Sequence, residues 1–334
     1  MQKELNHPPI NFGKTGALII NLGTPDSTSW FDIRKYLKEF LSDKRVIEVN
    51  PILWKIILNL FILNFRPSKT AKAYKEIWMK KENMSPLRYY TLMQTKKVSE
   101  KIQNENLIID FAMRYGNPSI ENKLKQLQQK GCENIIVLPL YPQYAAATTA
   151  TVCDEVYRTL MKMRWQPSLQ IISHYESEPL YIDALVNSLE KKINEINWKP
   201  DIILASYHGI PKKYFEKGDP YHCYCQKTTR LISEKFTKVP IKTTFQSRFG
   251  PQEWLQPYTD KTLESLPKEG KNNILVICPG FSSDCVETLE EISIQGKESF
   301  IGNGGKNFDL VPCLNDGEDH IDLLIHLVKK YYTR

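Results

Sequence analysis

Seven short runs of aliphatic and β-branched residues recur along this chain, most of them followed by a longer stretch of helical period, and this alternation constrains the fold more than any other feature. The runs lie at 17–22, 107–111, 135–140, 169–173, 202–206, 241–245 and 274–278. They are continuously apolar, which suits strands covered by helices on both faces. Helical patterns occupy 119–130, 149–164, 178–195, 221–237, 285–296 and 318–332. The rhythm predicts an α/β protein with Rossmann-like, doubly wound parallel sheets. Right-handed crossovers then put ligand sites beyond the carboxyl ends of the strands.

Length sets the number of such units. The 334 residues, at about 150 per domain, make roughly two domains. We place the first at 14–165, the second at 166–314 and a closing helix in 315–334. The stretch 23–106 is too long for one crossover helix, and its helical patterns at 51–65 and 68–81 read as an insertion, 51–82, over the first domain's strand ends. No repeat of fixed short period is visible.

Hydrophobic residues at 41% and charged ones at 25% exclude disordered and fibrous classes. The charge balance, 45 basic against 38 acidic residues or +7, carries no Lys/Arg block of a nucleic-acid tail, but allows attraction to anionic lipid or an acidic substrate. Seven cysteines, an odd number scattered through apolar stretches, predict reduced thiols in the cytoplasm and not a disulfide framework. The polar stretch from Met1 to Thr15 lacks the apolar core of a signal peptide, and no apolar run reaches the roughly 18 residues of a membrane span.

Unusual residues cluster just after the predicted strands. Gly23-Thr24-Pro25-Asp26-Ser27 is either a plain βα turn or a close approach to a ligand. It is neither GxGxxG nor a P-loop, so dinucleotide and ATP chemistry lose their main support. Arg114-Tyr115 can hold a carboxylate and pack on a flat ring, or stitch loops together. Tyr141-Pro142-Gln143-Tyr144 leads into the small, hydroxylated run from Ala145 to Thr151. In Ser206-Tyr207-His208-Gly209-Ile210-Pro211 a histidine stands at the expected ligand edge, where its imidazole can take a proton or bind a metal. After Cys278-Pro279-Gly280-Phe281, the acids Asp284, Glu287 and Glu291 fall at helical spacing on one predicted face. They cap the helix, or they form a general base and a relay for a hard cation.

There is no HExxH and no paired CxxC, so a structural zinc site is unsupported. Cys223 and Cys225 alone are poor evidence for an iron–sulfur cluster. The segment 51–65 is apolar almost all round, with Lys55, Arg66, Lys69 and Lys72 nearby. It is either a buried helix or one that rests in a membrane surface.

Taken in order, these motifs resemble the ferrochelatase family, which inserts ferrous iron into a porphyrin in the last step of haem synthesis. The likeness runs from Leu18 to about Gly296 and is strongest in Asn21-Leu22-Gly23-Thr24-Pro25, Arg114-Tyr115-Gly116, Leu138 to Tyr144, Ser206 to Pro211, Phe245-Gln246-Ser247-Arg248-Phe249-Gly250 and Cys278 to Glu291. The resemblance implies a chelatase-like pair of Rossmann-like domains with a porphyrin cleft between them, and a C-terminal helix packed back on the first. It implies His208 and Glu287 as the catalytic pair, with Glu291 and Asp284 continuing a metal-binding line. Leu22, Arg114 and Tyr115 match pocket positions, and Tyr141, Tyr207 and Pro279 in the matching motifs complete the expected substrate wall. Segment 51–65 matches the lip that faces the bilayer in membrane-bound members. Some members carry a histidine where Cys285 stands. The chain also lacks the cysteine-bearing C-terminal extension of cluster-containing members, so no resident cofactor is expected, and Fe²⁺ is a substrate. The implied partners are protoporphyrin IX and Fe²⁺, with peripheral contact to the inner face of the cytoplasmic membrane, no nucleic acid and no obligatory protein partner. Coproporphyrin III as the porphyrin, another tetrapyrrole's cobalt or nickel chelatase, and a non-catalytic porphyrin carrier remain as alternatives.

Overall fold

The computed structural model describes residues 12–332; the reading of the N-terminal stretch as no signal peptide therefore falls largely outside the described residues. Among the described residues eight strands form two parallel four-stranded sheets. The first has the order β2-β1-β3-β4, from β1 (Lys14–Thr24), β2 (Leu107–Gly116), β3 (Cys132–Pro139) and β4 (Ser168–Ile171). The second has the order β6-β5-β7-β8, from β5 (Ile202–His208), β6 (Ile241–Gln246), β7 (Asn273–Ile277) and β8 (Asn307–Leu310). Counted within its own half, each sheet runs 2-1-3-4, so the halves share one topology without a visible sequence repeat.

Twelve α-helices are described: α1 (Trp30–Leu41), α2 (Pro51–Ile57), α3 (Leu63–Ile77), α4 (Pro86–Ile102), α5 (Ile120–Gln129), α6 (Thr151–Leu160), α7 (Pro179–Glu195), α8 (Lys212–Glu216), α9 (Tyr221–Lys235), α10 (Thr259–Ser265), α11 (Lys297–Gly302) and α12 (Glu318–Tyr332). The central strands are apolar because both faces are covered. Ala17, Leu18, Ile19 and Ile20 in β1 and Ile203, Leu204 and Ala205 in β5 are wholly buried. Gly23, at the end of β1, has φ of +113°, and a Cβ there would sit 1.8 Å from the Tyr115 carbonyl oxygen. Of the two readings of this turn, the close approach that needs glycine is therefore to β2 of the same sheet.

Two expectations are corrected. The boundary at 165/166 falls before β4, which pairs with β3 from Asn134↔Ser168 to Val137↔Ile171; the first sheet thus runs on past it. The predicted helix at 285–296 is a π-helix, Val286–Gly296, one of three wide helical stretches with Leu58–Ile62 and Ala146–Ala150. Such turns are rare and gather at functional sites.

The insertion 51–82 packs one face into the protein, through Leu58, Leu63, Ala71 and Tyr74, and leaves the other exposed. In α2 no residue is buried, and Ile52 (75%), Leu53, Ile56, Leu60, Phe61 and Phe65 (75%) are exposed. The lip is held by that buried face, by the Arg34 Nε donation to the Leu63 carbonyl at 3.2 Å, by Trp54 Nε1, which donates to the Leu41 carbonyl at 2.7 Å, and by the Arg66 guanidinium, 4.9 Å from the Phe249 ring of the second half. No described helix is long and apolar enough to cross a membrane.

Helix α12 returns to the first half, where Lys101 of α4 pairs with Glu318 and Asp322. His320, in its first turn, is buried, and its Nδ1 donates to the Asn315 carbonyl at 2.6 Å. Burial pushes the imidazole down to about 4, against the backbone hydrogen bond and nearby Asp316. Between the ordinary histidine value of about 6.5 and this one, the unfolded chain binds a proton that the folded chain refuses. Stability therefore falls as pH drops through that window, by roughly 3 kcal/mol in total. Urea denaturation at stepped pH is expected to show this loss, and His320→Asn, which keeps an N–H donor, is expected to remove that part of the slope. Equal slopes in both proteins would refute the assignment.

Candidate active site

The two sheets have the same strand order. In each sheet the strand order reverses beside the first strand, and a crevice opens there beyond the carboxyl ends. Leu22 and Tyr141 lie at the ends of β1 and β3, Arg114 and Tyr115 at the end of β2, His208 at the end of β5, and the π-helix follows β7. Each half sends a helix residue to a loop residue of the other: Gln94 Nε2 of α4 donates to Ser283 Oγ at 3.0 Å, and Gln143 Nε2 donates to Thr228 Oγ1 of α9 at 2.9 Å.

On the second-half side, His208 Nδ1 lies 2.6 Å from the carbonyl of Gly209. A carbonyl only accepts, so Nδ1 carries the hydrogen and the neutral ring keeps its lone pair on Nε2. Glu291 is half-buried among three donors. Its Oε1 accepts the Ser247 backbone N–H at 2.7 Å and its Oε2 the Ser247 hydroxyl at 2.5 Å and Gln246 Nε2 at 3.4 Å. Burial raises its carboxyl above the usual range and the Glu287 charge adds to this, while Ser247 and His208 oppose it. Glu291 thus lies within electrostatic reach of both predicted catalytic residues. Gln246 Nε2 also donates to the Glu287 carbonyl at 2.7 Å, which ties the π-helix to the end of β6. Ser247 holds φ of +64°, an uncommon conformation for a residue with a Cβ and one typical of functional edges.

The first half supplies an aromatic wall. Tyr36, Tyr74 and Tyr115 are buried in one cluster with Leu22 and Val286 packed against it. The Glu287 charge reaches the hydroxyls of Tyr36, Tyr74 and Tyr141. Burial is the main cause that holds all three protonated, so each keeps a hydrogen to donate. Among the described residues the buried Tyr141 hydroxyl has no hydrogen-bond partner.

Several expected site residues do other work. Asp284 is not on the helix. It precedes Cys285, whose extended φ of −151° begins the turn into Val286, so the 284/287 spacing places no common face. Its carboxylate accepts from Asn315 Nδ2 at 2.6 Å, Thr288 Oγ1 at 3.1 Å and the Cys313 N–H at 3.2 Å. Among the described residues no three His, Cys, Asp or Glu side chains are arranged to enclose a cation. Tyr207 is wholly buried with its hydroxyl on Thr229 Oγ1 at 3.0 Å; side chains alternate along a strand, so with His208 at the cleft its neighbour points into the helix layer. Arg114 does not offer a free guanidinium. It is paired with Asp43 at 2.5 Å and lies 4.3 Å over the Tyr115 ring, whose hydroxyl also donates to Asp43 at 2.9 Å. Pro279 is buried, and its carbonyl accepts the Tyr181 hydroxyl at 2.5 Å. Cys225 is buried and Cys223 exposed, so the two do not converge. Cys285 stands buried beside Glu287; burial first, and then that charge, raise its thiol well above the ordinary range, which keeps it protonated and a poor metal ligand.

Sequence reasoning did not single out Tyr36, Tyr74 or Asn315. Gln246 and Ser247 stood in a matching motif without an assigned role. The end of a predicted strand was the signal that could have found them.

The family model described as Ferrochelatase matches residues 14–332. The ferrochelatase of Allorhizobium ampelinum is 54% identical over 327 residues, covering 97% of this chain and 95% of that protein. That of Rhizobium meliloti is 53% identical over 333 residues, 99% and 98% of the two chains, and that of Francisella tularensis 50% over 321 residues, 95% and 96%. Among solved structures, SirB from Bacillus subtilis with Fe³⁺ shares the fold at a TM-score of 0.58 and 11% identity, with 95% of each chain covered. CbiX, the terminal enzyme of sirohaem biosynthesis in denitrifying bacteria, does so at 0.51 and 10%, with 94% and 98% covered.

Proposed function

The chain belongs to the ferrochelatase family and inserts Fe²⁺ into a porphyrin in haem biosynthesis, and from that premise we propose that its porphyrin is protoporphyrin IX and that His208 and Glu287 carry the chemistry. The observation that carries the assignment is the meeting, at neighbouring strand ends of the second sheet, of a histidine with its lone pair held on Nε2 and two carboxylates on the π-helix. Metalation removes two pyrrole protons and replaces the water around Fe²⁺. His208 Nε2 is placed to accept a proton, and Glu287 and Glu291 to pass protons out or guide the cation in. Glu291, whose carboxyl burial has already raised, holds a proton more readily than an exposed glutamate. The tyrosine wall gives the flat ring an apolar seat, and binding energy along that wall can be spent on bending the ring so that its nitrogen lone pairs point out.

The reading needs no resident cofactor. The exposed apolar lip supports protoporphyrin IX, the less carboxylated substrate, over coproporphyrin III. Anaerobic assays with Fe²⁺, or Zn²⁺ as an air-stable surrogate, are expected to show loss of porphyrin fluorescence with protoporphyrin IX. Turnover with coproporphyrin III alone would overturn the substrate, and porphyrin binding without turnover would make the protein a carrier.

The same lip, with Lys55, Lys69 and Lys72 exposed around it, supports peripheral seating on an anionic membrane at the cytoplasmic face. Leu53→Ser combined with Phe61→Ser removes two large exposed side chains, each worth on the order of 1.5–3 kcal/mol when fully buried. Sedimentation with phosphatidylglycerol vesicles is expected to weaken at least about tenfold; unchanged binding would place the contact elsewhere.

A further inference from the structure

Asn315 lies outside every motif, yet it uses all of its polar groups to hold the loop that launches the π-helix. Its backbone N–H donates to the Ser282 carbonyl at 3.1 Å. Its carbonyl accepts from Gln94 Nε2 of α4 at 2.8 Å and His320 Nδ1 of α12 at 2.6 Å. Its side chain then pairs head to head with Asp284: Oδ1 accepts the Asp284 backbone N–H at 2.8 Å, and Nδ2 donates to Asp284 Oδ2 at 2.6 Å. To do this it holds φ of +47°, a conformation that asparagine tolerates better than most residues with a Cβ. Asp284 passes the constraint on through Thr288 Oγ1, which donates to its Oδ1 at 3.1 Å and accepts the Cys285 N–H at 3.0 Å.

We propose that Asn315 and Asp284 are a positioning pair that aims the first turn of the π-helix, and with it Glu287, and that Asp284 acts through this contact and not as a ligand for iron. The proposal rests on the reading of Glu287 as part of the catalytic pair. The far side of the helix is held by Gln246 and Ser247; the start of the helix is held by Asn315. Because α4 and α12 converge on the same Asn315 carbonyl, the pair also registers the helix against the half that carries the aromatic wall.

The pair offers a swap test. In the full-length protein, Asn315→Asp sets two carboxylates in hydrogen-bond contact, and Asp284→Asn sets an amide against an amide. The double variant D284N/N315D exchanges the groups and leaves a partner for each donor and acceptor: the new carboxylate accepts the backbone N–H and the new amide N–H₂, and the new amide oxygen accepts from Thr288 and Cys313. Each single variant is expected to lose about tenfold or more in kcat for metalation of protoporphyrin IX, with KM changed far less. The N315D loss is expected to shrink as pH falls, because two adjacent carboxylates share a proton. The swap is expected to recover kcat to within about threefold of wild type. A swap as slow as D284N alone overturns the proposal and makes the Asp284 charge itself part of the metal path. If N315D does not fold, the comparison of D284N with the swap still decides. Absence of turnover in the wild type would fail the enzyme reading instead; the pair is then read from thermal unfolding of the four proteins, where additive losses with no recovery in the swap overturn it.

Discussion

Glu287→Gln is expected to lower kcat for iron insertion by about 10²–10⁴-fold, the range for loss of a positioned acid or base, while porphyrin still binds. Glutamine matches glutamate in shape, and the contacts that hold the π-helix are unaffected, since they use the Glu287 backbone carbonyl and the Glu291 side chain. What is lost is the ability to take a proton or face a divalent cation. His208→Ala is expected to act in the same range, because Gly209 fixes the tautomer that leaves Nε2 available. Stopped-flow metalation with porphyrin binding measured separately distinguishes chemistry from affinity. If E287Q keeps more than about a tenth of wild-type turnover while Glu291→Gln abolishes it, the principal carboxylate is Glu291.

Arg114→Met is expected to destabilise the protein by about 3–5 kcal/mol, the cost of removing one member of a buried ion pair. Asp43 is left with the Tyr115 hydroxyl and the Arg45 backbone N–H, which do not neutralise its charge. The side chains of the pair are 7% and 11% exposed, so water gives little relief. Adding Asp43→Asn is expected to recover a large part of the loss, since the stranded charge goes with it. Chemical denaturation of the two variants measures both effects; a loss below about 1 kcal/mol for R114M would mean that the pair behaves as a surface contact.

Strand and helix positions were legible in the sequence because they depend on local period. Six of the helical patterns and all seven apolar runs correspond to elements of the structure, and the strand ends pointed to His208 and Glu287 before any contact was known. Strand β8 escaped because Asn307-Phe308-Asp309-Leu310 is short and alternates, with no continuous apolar run. The boundary at 165/166 failed because β4 belongs to whichever sheet accepts its hydrogen bonds, and pairing is not a local property. Spacing also misassigned Asp284, since the i, i+3 rule holds only inside a helix and the chain at Cys285 is still extended. Tyr207 and Arg114 carried the right chemistry for a ligand, but the partner each found was already in the protein. By itself the sequence determined two α/β halves, their elements and the edge where ligands bind, through periodicity and punctuation that act within a few residues. Only the tertiary structure decided which side chains at that edge are spent on holding the protein together and which are left over for chemistry, because that division depends on hydrogen bonds between residues far apart in the chain.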